Sequence, residues 1–266
     1  MPEPLLFSHY LMSVSGEARE AEMACAAKHG IGIEIKDFGW YGSLVDRAER
    51  LRLVRWYRAR LRDFSGPVTV HGPFGDMSLG SGDPDILAIS RKRVVACLDV
   101  AEELSVTRVV FHTCFNKMDP QPWYLPEWVK RHTAFWQDVL PGRAVEVVLE
   151  NLYDPTPELL AEAVDAIGLP SVGVCLDAGH AHVHARQQPA RWVEVLGARI
   201  RHLHLHDNSL RYDQHLVPGK GGIDWPAFMA AIRAHTSRPS AVLELSGEEQ
   251  IVAAIAHLEA VAAQTA

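Results

Sequence analysis

The segment Ile-Arg-His-Leu-His-Leu-His, residues 200–206, alternates between polar and apolar side chains almost throughout its length. In a β-strand, this alternation places the three histidines on one face and the two leucines on the other. The apolar face suits contact with a layer of helices, and the histidine face suits the interior of a barrel. The segment therefore predicts a strand that carries chemically active groups on its inner side.

Two other apolar segments share this pattern. Residues 240–246 place Glu244 opposite a pair of leucines, and residues 145–150 place Glu150 on the same face as Val148. In each segment the acidic or histidine side chain comes late, near the carboxyl end of the strand. This position is expected for a barrel whose site lies at its carboxyl-terminal mouth.

Short apolar segments alternate with segments of helical period along the whole chain. The predicted strands are residues 5–12, 31–37, 67–72, 107–113, 145–151, 172–178, 200–206 and 240–246. The predicted helices are residues 16–29, 43–62, 84–104, 126–139, 157–167, 189–197, 225–236 and 248–263. At 266 residues this order predicts an α/β fold, a single (β/α)8 TIM barrel that occupies residues 1–266. The first strand–helix turn has no GxGxxG motif, which disfavours a dinucleotide-binding sheet.

Composition limits the cellular setting and the partners. The four cysteines lie far apart with no CxxC pair, which predicts reduced thiols rather than disulfides or a zinc knuckle. No apolar run approaches membrane-spanning length, and the amino terminus lacks the basic stretch of a signal peptide, so we expect a cytoplasmic protein with no membrane partner. The net charge of −7 disfavours a nucleic-acid partner, although bound divalent ions could reverse the field inside an acidic cleft.

Nine acidic and histidine residues follow the apolar segments and could bind metal. They are His71, His112, Glu150, Asp177, His180, His204, Asp213, His215 and Glu244. Imidazole and carboxylate ligands without thiolate suit Zn²⁺ first, and also Mn²⁺ or Fe²⁺. Since one ion needs only three or four protein ligands, the set predicts two or three divalent ions.

Several strings of this sequence together resemble the xylose-isomerase-like TIM-barrel superfamily, in particular its endonuclease IV branch (AP endonuclease family 2). The strings are VHGPF, VVFH, VVLEN, CLDAGHAH, HLHLHD, DQHLVPGKGGIDW and VLELS, within residues 67–246. The resemblance implies a trinuclear zinc centre that cleaves phosphodiesters. The ligand groups that it implies are His71, His112 and Glu150; Glu150 as a bridge with Asp177, His204 and Glu244; and His180, Asp213 and His215.

These residues predict a metal-dependent phosphoester hydrolase in which Glu150 or Glu244 positions a bridging hydroxide. The alternative is a single-metal sugar or hydroxy-acid isomerase or epimerase of the same superfamily. That enzyme would use Glu150, Asp177, His204 and Glu244, and the two glutamates would move a proton between carbons. It has less need of His71, His112, Asp213 and His215, and their joint presence favours hydrolysis.

Three departures from the endonuclease IV pattern put an abasic-DNA substrate in doubt. Phe74 stands where that branch has tyrosine, Lys220 replaces an acidic residue, and residues 36–41 do not resemble the DNA-penetrating loop. We therefore expect a small nucleotide-like or sugar-phosphate substrate, with nucleic acid disfavoured.

Five further residues are candidate substrate contacts: Lys220, His206, Asp207, His9 and His182. Lys220 lies in a glycine-rich loop that could cradle a phosphate, or it could be a solvated lysine in a flexible turn. His9 is expected to end the first strand and reach the pocket floor. Glu34 could contact substrate or pair with Lys36. The Trp123-Tyr124 pair is expected to pack locally, with an aromatic lid as the alternative, and His132 is expected to be structural.

Overall fold

The strands form one closed parallel barrel in chain order. The structure, a computed structural model, describes residues 6–116 and 121–265. The strands are β1 (Tyr10–Val14), β2 (Gly32–Ile35), β3 (Val68–His71), β4 (Arg108–His112), β5 (Glu146–Glu150), β6 (Val172–Asp177), β7 (Ile200–Leu205) and β8 (Ser240–Leu243). The barrel closes where Tyr10 pairs with Ala241. This architecture confirms the predicted (β/α)8 TIM barrel.

Helices lie between the strands. They are α1 (Arg19–His29), α2 (Tyr41–Val45), α3 (Arg47–Leu61), α4 (Pro84–Glu103), α5 (Tyr124–Val139), α6 (Pro157–Ile167), α7 (Ala178–Val183), α8 (Pro189–Leu196), α9 (Trp225–His235) and α10 (Glu248–Gln264). The helix predicted over residues 43–62 is in fact two helices. Asp46 is extended and its carboxylate accepts hydrogen bonds from the amides of Ala48 and Glu49, so a new helix begins there.

The first strand begins later than the sequence predicted. The prediction placed it at residues 5–12, but the apolar Leu6 and Phe7 pack in the core ahead of the strand, and Phe7 contacts the Tyr10 ring edge-to-face. His9 therefore precedes β1 at the amino-terminal end of the barrel, opposite the mouth, and it is exposed to solvent. The prediction that His9 contacts substrate at the pocket floor was wrong.

The outward side chains of the strands pack with the helices in one large apolar core. Inside the barrel, Val110, Val148 and Cys175 form a separate, fully buried cluster. All four cysteines are free thiols. Within residues 6–116 and 121–265, no helix has the length and apolar character needed to cross a membrane.

His132 in α5 is a buried structural residue, as expected. Its ring stacks on Trp128 with centroids 4.5 Å apart, and its Nε2 accepts a hydrogen bond of 3.2 Å from the Trp136 indole. Burial lowers the pKa of His132 to about 3. The folded protein therefore holds this imidazole neutral across the range in which an unfolded chain protonates it.

We predict that His132 makes the folded state less stable in mild acid. Because its pKa is depressed on folding, its contribution is fully present above the ordinary histidine pKa and is lost as pH falls towards 3. Between pH 7 and pH 5 this one group should cost about 2 kcal/mol. Urea unfolding at both pH values should show that His132→Phe loses less stability on acidification than wild type. The exposed control His235→Gln should behave as wild type, and an unchanged pH dependence in His132→Phe would contradict the assignment.

Candidate metal centre

The nine predicted ligands all lie at the carboxyl-terminal mouth of the barrel. His71, His112, Glu150 and Asp177 are the last residues of β3, β4, β5 and β6, His204 lies near the end of β7, and Glu244 directly follows β8. His180 lies in α7, which begins because the Asp177 carboxylate accepts from the His180 amide. Asp213 and His215 lie on the loop between β7 and α9 and are half-buried, whereas the other seven are buried.

Glu150 lies at the centre of this group. Its Oε2 is 2.9 Å from Nε2 of His71 and 3.3 Å from Nε2 of His112. Its Oε1 is 3.2 Å from Nδ1 of His204 and 3.3 Å from Nδ1 of His180. Each oxygen thus faces its own pair of imidazoles, which is the arrangement of a carboxylate that can bridge two cations.

A second set of groups surrounds Nδ1 of His204. This nitrogen lies 3.0 Å from Oε1 of Glu244, 3.2 Å from Oε1 of Glu150 and 3.9 Å from Oδ2 of Asp177. Three carboxylates and one imidazole therefore converge on one point. These are the four residues that a single-metal centre would need.

A third set lies towards the outer side of the mouth. Asp213 Oδ2 is 2.9 Å from Nε2 of His215 and 3.4 Å from Nε2 of His180. His206, predicted as a substrate contact, lies here too: its Nε2 is 3.2 Å from Asp177, and its ring stacks on His215 at 4.0 Å. With Asp177 and His180 it forms a buried group that could hold an ion.

Four of these histidines are held in one tautomer by main-chain carbonyls. Nδ1 of His71, His112, His180 and His215 lies 2.9, 3.2, 2.9 and 2.9 Å from the carbonyl oxygens of Gly72, Phe74, Asn151 and Glu244, respectively. A carbonyl can only accept, so each Nδ1 carries the proton. The Nε2 of each ring faces a carboxylate, and the Nδ1–H of His180 also lies 3.3 Å from Glu150. Metal-binding imidazoles usually have an outer hydrogen bond of this kind, so the residues fit a divalent ion.

Charge balance keeps the carboxylates ionised. Burial alone would raise the pKa of Glu150, but His204 and His112 outweigh it and hold that pKa well below its ordinary range. Burial also opposes the charge on Glu244, yet Lys36 and His204 hold its pKa well below the ordinary value. Burial would lower the pKa of His180, but Asp177 and Asp213 raise it well above the usual range. Ionised Glu150 and Glu244 and a protonated His180 are therefore features of the metal-free mouth.

We predict that a divalent ion binding here displaces protons from the imidazoles. Although burial opposes their charge, the acidic groups around His180 and His204 raise the pKa of both rings, so each must lose a proton before it can bind metal. Zinc titrations at pH 7, followed by calorimetry in buffers of different ionisation enthalpy, should show release of about one proton for each of these two rings that binds an ion. Affinity should fall from pH 8 to pH 6. Binding without proton release would contradict this description.

Lys36 is a member of the site that sequence reasoning missed. It directly follows β2, its ammonium group bonds the Glu244 carboxylate, and it lies 5.9 Å from the centre of the Phe74 ring. The sequence suggested Lys36 only as a partner for Glu34. Glu34 instead contacts His202 and His204 inside the barrel. The position of Lys36 at a strand end was the signal that could have identified it.

Asp207 has a structural role rather than the predicted contact with substrate. Its Oδ1 accepts from the amides of Asn208 and Ile223, and its Oδ2 accepts from the Gly219 amide and the Trp225 indole. A Cβ on Gly221 would lie 2.2 Å from Oδ1, so the close approach of this loop requires glycine. Asp207 therefore anchors the glycine-rich loop with all of its acceptor capacity used.

The other predicted substrate contacts lie around the same loop. His182 is buried and its Nδ1 lies 2.8 Å from the Asn208 side-chain oxygen. Lys220 is exposed at the tip of the turn, and its contact with substrate stays a prediction.

The Trp123-Tyr124 pair lies elsewhere, where the loop after β4 meets the start of α5, and there Trp123 is exposed and Tyr124 packs on Phe115. The alternative of an aromatic lid falls partly on residues 117–120, which lie outside the described residues.

Comparison with known proteins gives one family match. The family model described as "Xylose isomerase-like TIM barrel" matches residues 25–261. The solved TTHB071 protein from Thermus thermophilus, soaked with ZnCl2, is 27% identical, with a TM-score of 0.79 over 96% of this chain and 98% of its own. Uncharacterized protein MJ1311 of Methanocaldococcus jannaschii is 29% identical over 64% of this chain, and the match spans 61% of MJ1311. D-psicose 3-epimerase of Enterocloster bolteae is 32% identical over 42% of this chain and 35% of its own.

Proposed function

The chain belongs to the xylose isomerase-like TIM-barrel family, and on that premise we propose that it is a divalent-metal-dependent epimerase or isomerase of a sugar or hydroxy acid. The observation that carries this proposal is the placement of Glu150 and Glu244 on two flanks of His204 Nδ1. Their strands, β5 and β8, are separated by two strands on one side of the barrel and by four on the other. The two carboxylates therefore come from separate parts of the barrel wall and would reach a bound substrate from different strands.

Epimerisation needs a base on one face of a carbon and an acid on the other. Glu150 and Glu244 are buried and are held ionised by the charged groups around them. We assign removal of the proton to one glutamate, and we assign delivery of a second proton on the opposite face to the other glutamate, which must first take up that proton from solvent. Lys36 bonds Glu244 and presents an ammonium group beside it, where it can donate to a substrate oxygen.

The residues that would hold the ion are Glu150, Asp177, His204 and Glu244. Three carboxylates and one imidazole suit Zn²⁺, Mn²⁺ or Fe²⁺, and the zinc soak of the TTHB071 protein supports zinc. When bound, such an ion polarises the oxygens next to the reacting carbon and makes the C–H proton more acidic. Val110, Val148 and Cys175 form a fully buried apolar cluster inside the barrel.

The similarity to D-psicose 3-epimerase supports the isomerase class more than the hydrolase that the sequence alone favoured. The four residues around His204 are enough for a single-metal centre. No comparison supports phosphodiester cleavage directly. The hydrolase therefore becomes the second candidate.

One observation still favours the second candidate, a phosphoester hydrolase acting on a small nucleotide-like or sugar-phosphate substrate. His71 and His112 face one oxygen of Glu150, while His204 and His180 face the other. If both oxygens bind metal, Glu150 cannot carry a proton to or from carbon. The number of ions bound therefore separates the two functions.

The first test combines metal content with proton transfer. We expect tight binding of one Zn²⁺ or Mn²⁺ per chain by elemental analysis, and exchange of a substrate C–H proton with D2O on a panel of ketopentoses and ketohexoses. Glu150→Gln and Glu244→Gln should each lower the turnover number by about 10²- to 10⁴-fold, because each removes one proton carrier. Glu103→Gln, an exposed glutamate far along α4, is the matched control and should keep wild-type activity.

The opposite result identifies the hydrolase. Two or three tightly bound ions per chain, with turnover of a nitrophenyl phosphodiester that His71→Ala and Asp213→Ala abolish, would overturn the epimerase proposal. Under the epimerase proposal the same two variants should retain measurable proton exchange. Assaying both reactions on one metal-loaded preparation makes the comparison direct.

A further inference from the structure

Beneath the candidate metal centre, a column of polar side chains crosses the barrel interior. It contains Glu34 from β2, Thr69 from β3, His202 and His204 from β7, and Ser240 from β8, all of them buried. The reaction proposed above uses only His204. Burying polar groups costs free energy unless they are paired. The presence of five buried polar side chains inside the barrel therefore suggests that they have a functional role.

Glu34 is the centre of the column. Its Oε1 lies 3.1 Å from Nε2 of His204, and its Oε2 lies 3.1 Å from Nε2 of His202. The Thr69 hydroxyl donates to the same Oε2 at 2.9 Å. Each oxygen of Glu34 therefore lies within hydrogen-bond reach of a donor from another strand.

The hydrogen bonds at the lower end of the column have a fixed direction. Arg108 donates to the Ser240 hydroxyl at 2.6 Å, and the Ser240 oxygen lies 2.6 Å from Nδ1 of His202. The ionised Glu34 carboxylate can only accept, so His202 carries its proton on Nε2 and donates it to Glu34. Nδ1 of the same ring is then left to accept from the Ser240 hydroxyl.

His204, at the upper end of the column, differs from the other candidate metal-binding histidines in the orientation of its ring. His71, His112 and His215 present Nε2 to the carboxylates, and His180 presents Nε2 to Asp213 although its Nδ1 also lies 3.3 Å from Glu150; a main-chain carbonyl fixes the Nδ1 proton of all four rings. His204 is reversed: its Nδ1 faces Glu150 and Glu244, and its Nε2 faces Glu34. To offer the Nδ1 lone pair to a cation, this ring must carry its proton on Nε2.

We propose that Glu34 is a positioning residue of the metal centre, which accepts the Nε2 proton of His204 and so fixes the tautomer and ring orientation that present Nδ1 to the ion. A side chain thereby does for His204 what the main chain does for the other four histidines. The inference rests on the proposed function only in that the mouth binds a divalent ion. It requires no particular substrate.

A carboxylate is the group that this position requires. Glu34 accepts from His202 and Thr69 on Oε2, while its Oε1 and Nε2 of His204 lie 3.1 Å apart and neither of these two buried atoms has another hydrogen-bond partner among the described residues. Glutamine has the same shape but only one acceptor oxygen, so its amide NH₂ must face either His204 or the other two donors. If the NH₂ faces His204, it favours a proton on Nδ1 of that ring, which is the wrong tautomer for metal binding. If the NH₂ faces His202 and Thr69, it breaks their hydrogen bonds to residue 34.

The test measures zinc affinity at pH 7.5 by competition with a chromogenic chelator, without any substrate. Glu34→Gln should bind Zn²⁺ about 10- to 100-fold more weakly than wild type, as expected for loss of the outer partner of a metal-binding histidine. Thr69→Val is the matched control, because it removes a donor to Oε2 of Glu34 and leaves Oε1 of Glu34 facing Nε2 of His204. It should stay within about threefold of wild type, less than 1 kcal/mol. Equal affinity in Glu34→Gln, or an equal loss in Thr69→Val, would overturn the proposal.

A second measurement needs no variant and decides the matter if Glu34→Gln fails to fold. In zinc-loaded wild type with ¹⁵N-labelled histidine, the His204 ring should show a metal-bound Nδ1 and a protonated Nε2. A metal-bound Nε2 would overturn the proposal. The zinc affinities and the His204 tautomer could be as expected while the protein exchanges no substrate proton. That combination would support the role of Glu34 and reject the epimerase proposal.

Discussion

The mouth of this barrel depends on the contacts between the Glu150 carboxylate and four imidazole rings. Four imidazoles, from β3, β4, α7 and β7, lie within 3.3 Å of its two oxygens. A buried carboxylate is tolerated only when opposite charge or hydrogen bonds compensate its lost hydration. Here the compensation comes from groups that are themselves candidate metal ligands. Removing Glu150 would leave these imidazoles facing one another, so the same residue organises the fold of the mouth and its chemistry.

The parallel barrel brings the ligands around Glu150 together without any special loop structure for most of them. Every strand ends at the same rim, and inward side chains near the strand ends point to one space. His112 pairs in register with Glu150, Glu150 with Cys175, and Asp177 with His204. Ligands that are distant in sequence therefore become neighbours through strand register alone. The loop residues Asp213 and His215 complete the outer side, and Asp207 holds the adjoining glycine-rich loop in place.

The barrel and the nine candidate ligands could be predicted because period-two alternation and strand-end position are local features of the sequence. The sequence could not predict which of these side chains contact one another. Glu34 faces two histidines rather than Lys36, and Lys36 pairs with Glu244, because register across three strands decides which side chains meet. Asp207 resembles a substrate ligand until its four donors are seen. His9 was misplaced because Leu6 and Phe7 are apolar for packing outside the strand, which periodicity cannot distinguish.

The two oxygens of Glu150 also link geometry to the choice of reaction. A glutamate that bridges two ions has both oxygens engaged, and a glutamate that moves a proton needs one oxygen free at the substrate carbon. His71 and His112 on Oε2 and His204 on Oε1 allow either state, depending on how many ions are present. Lys36 introduces an asymmetry, since it bonds Glu244 and supplies positive charge on one flank only. With Lys36 already bonded to Glu244, one divalent ion beside His204 would balance the charges of Glu150, Asp177 and Glu244, which agrees with the single-ion epimerase proposed above.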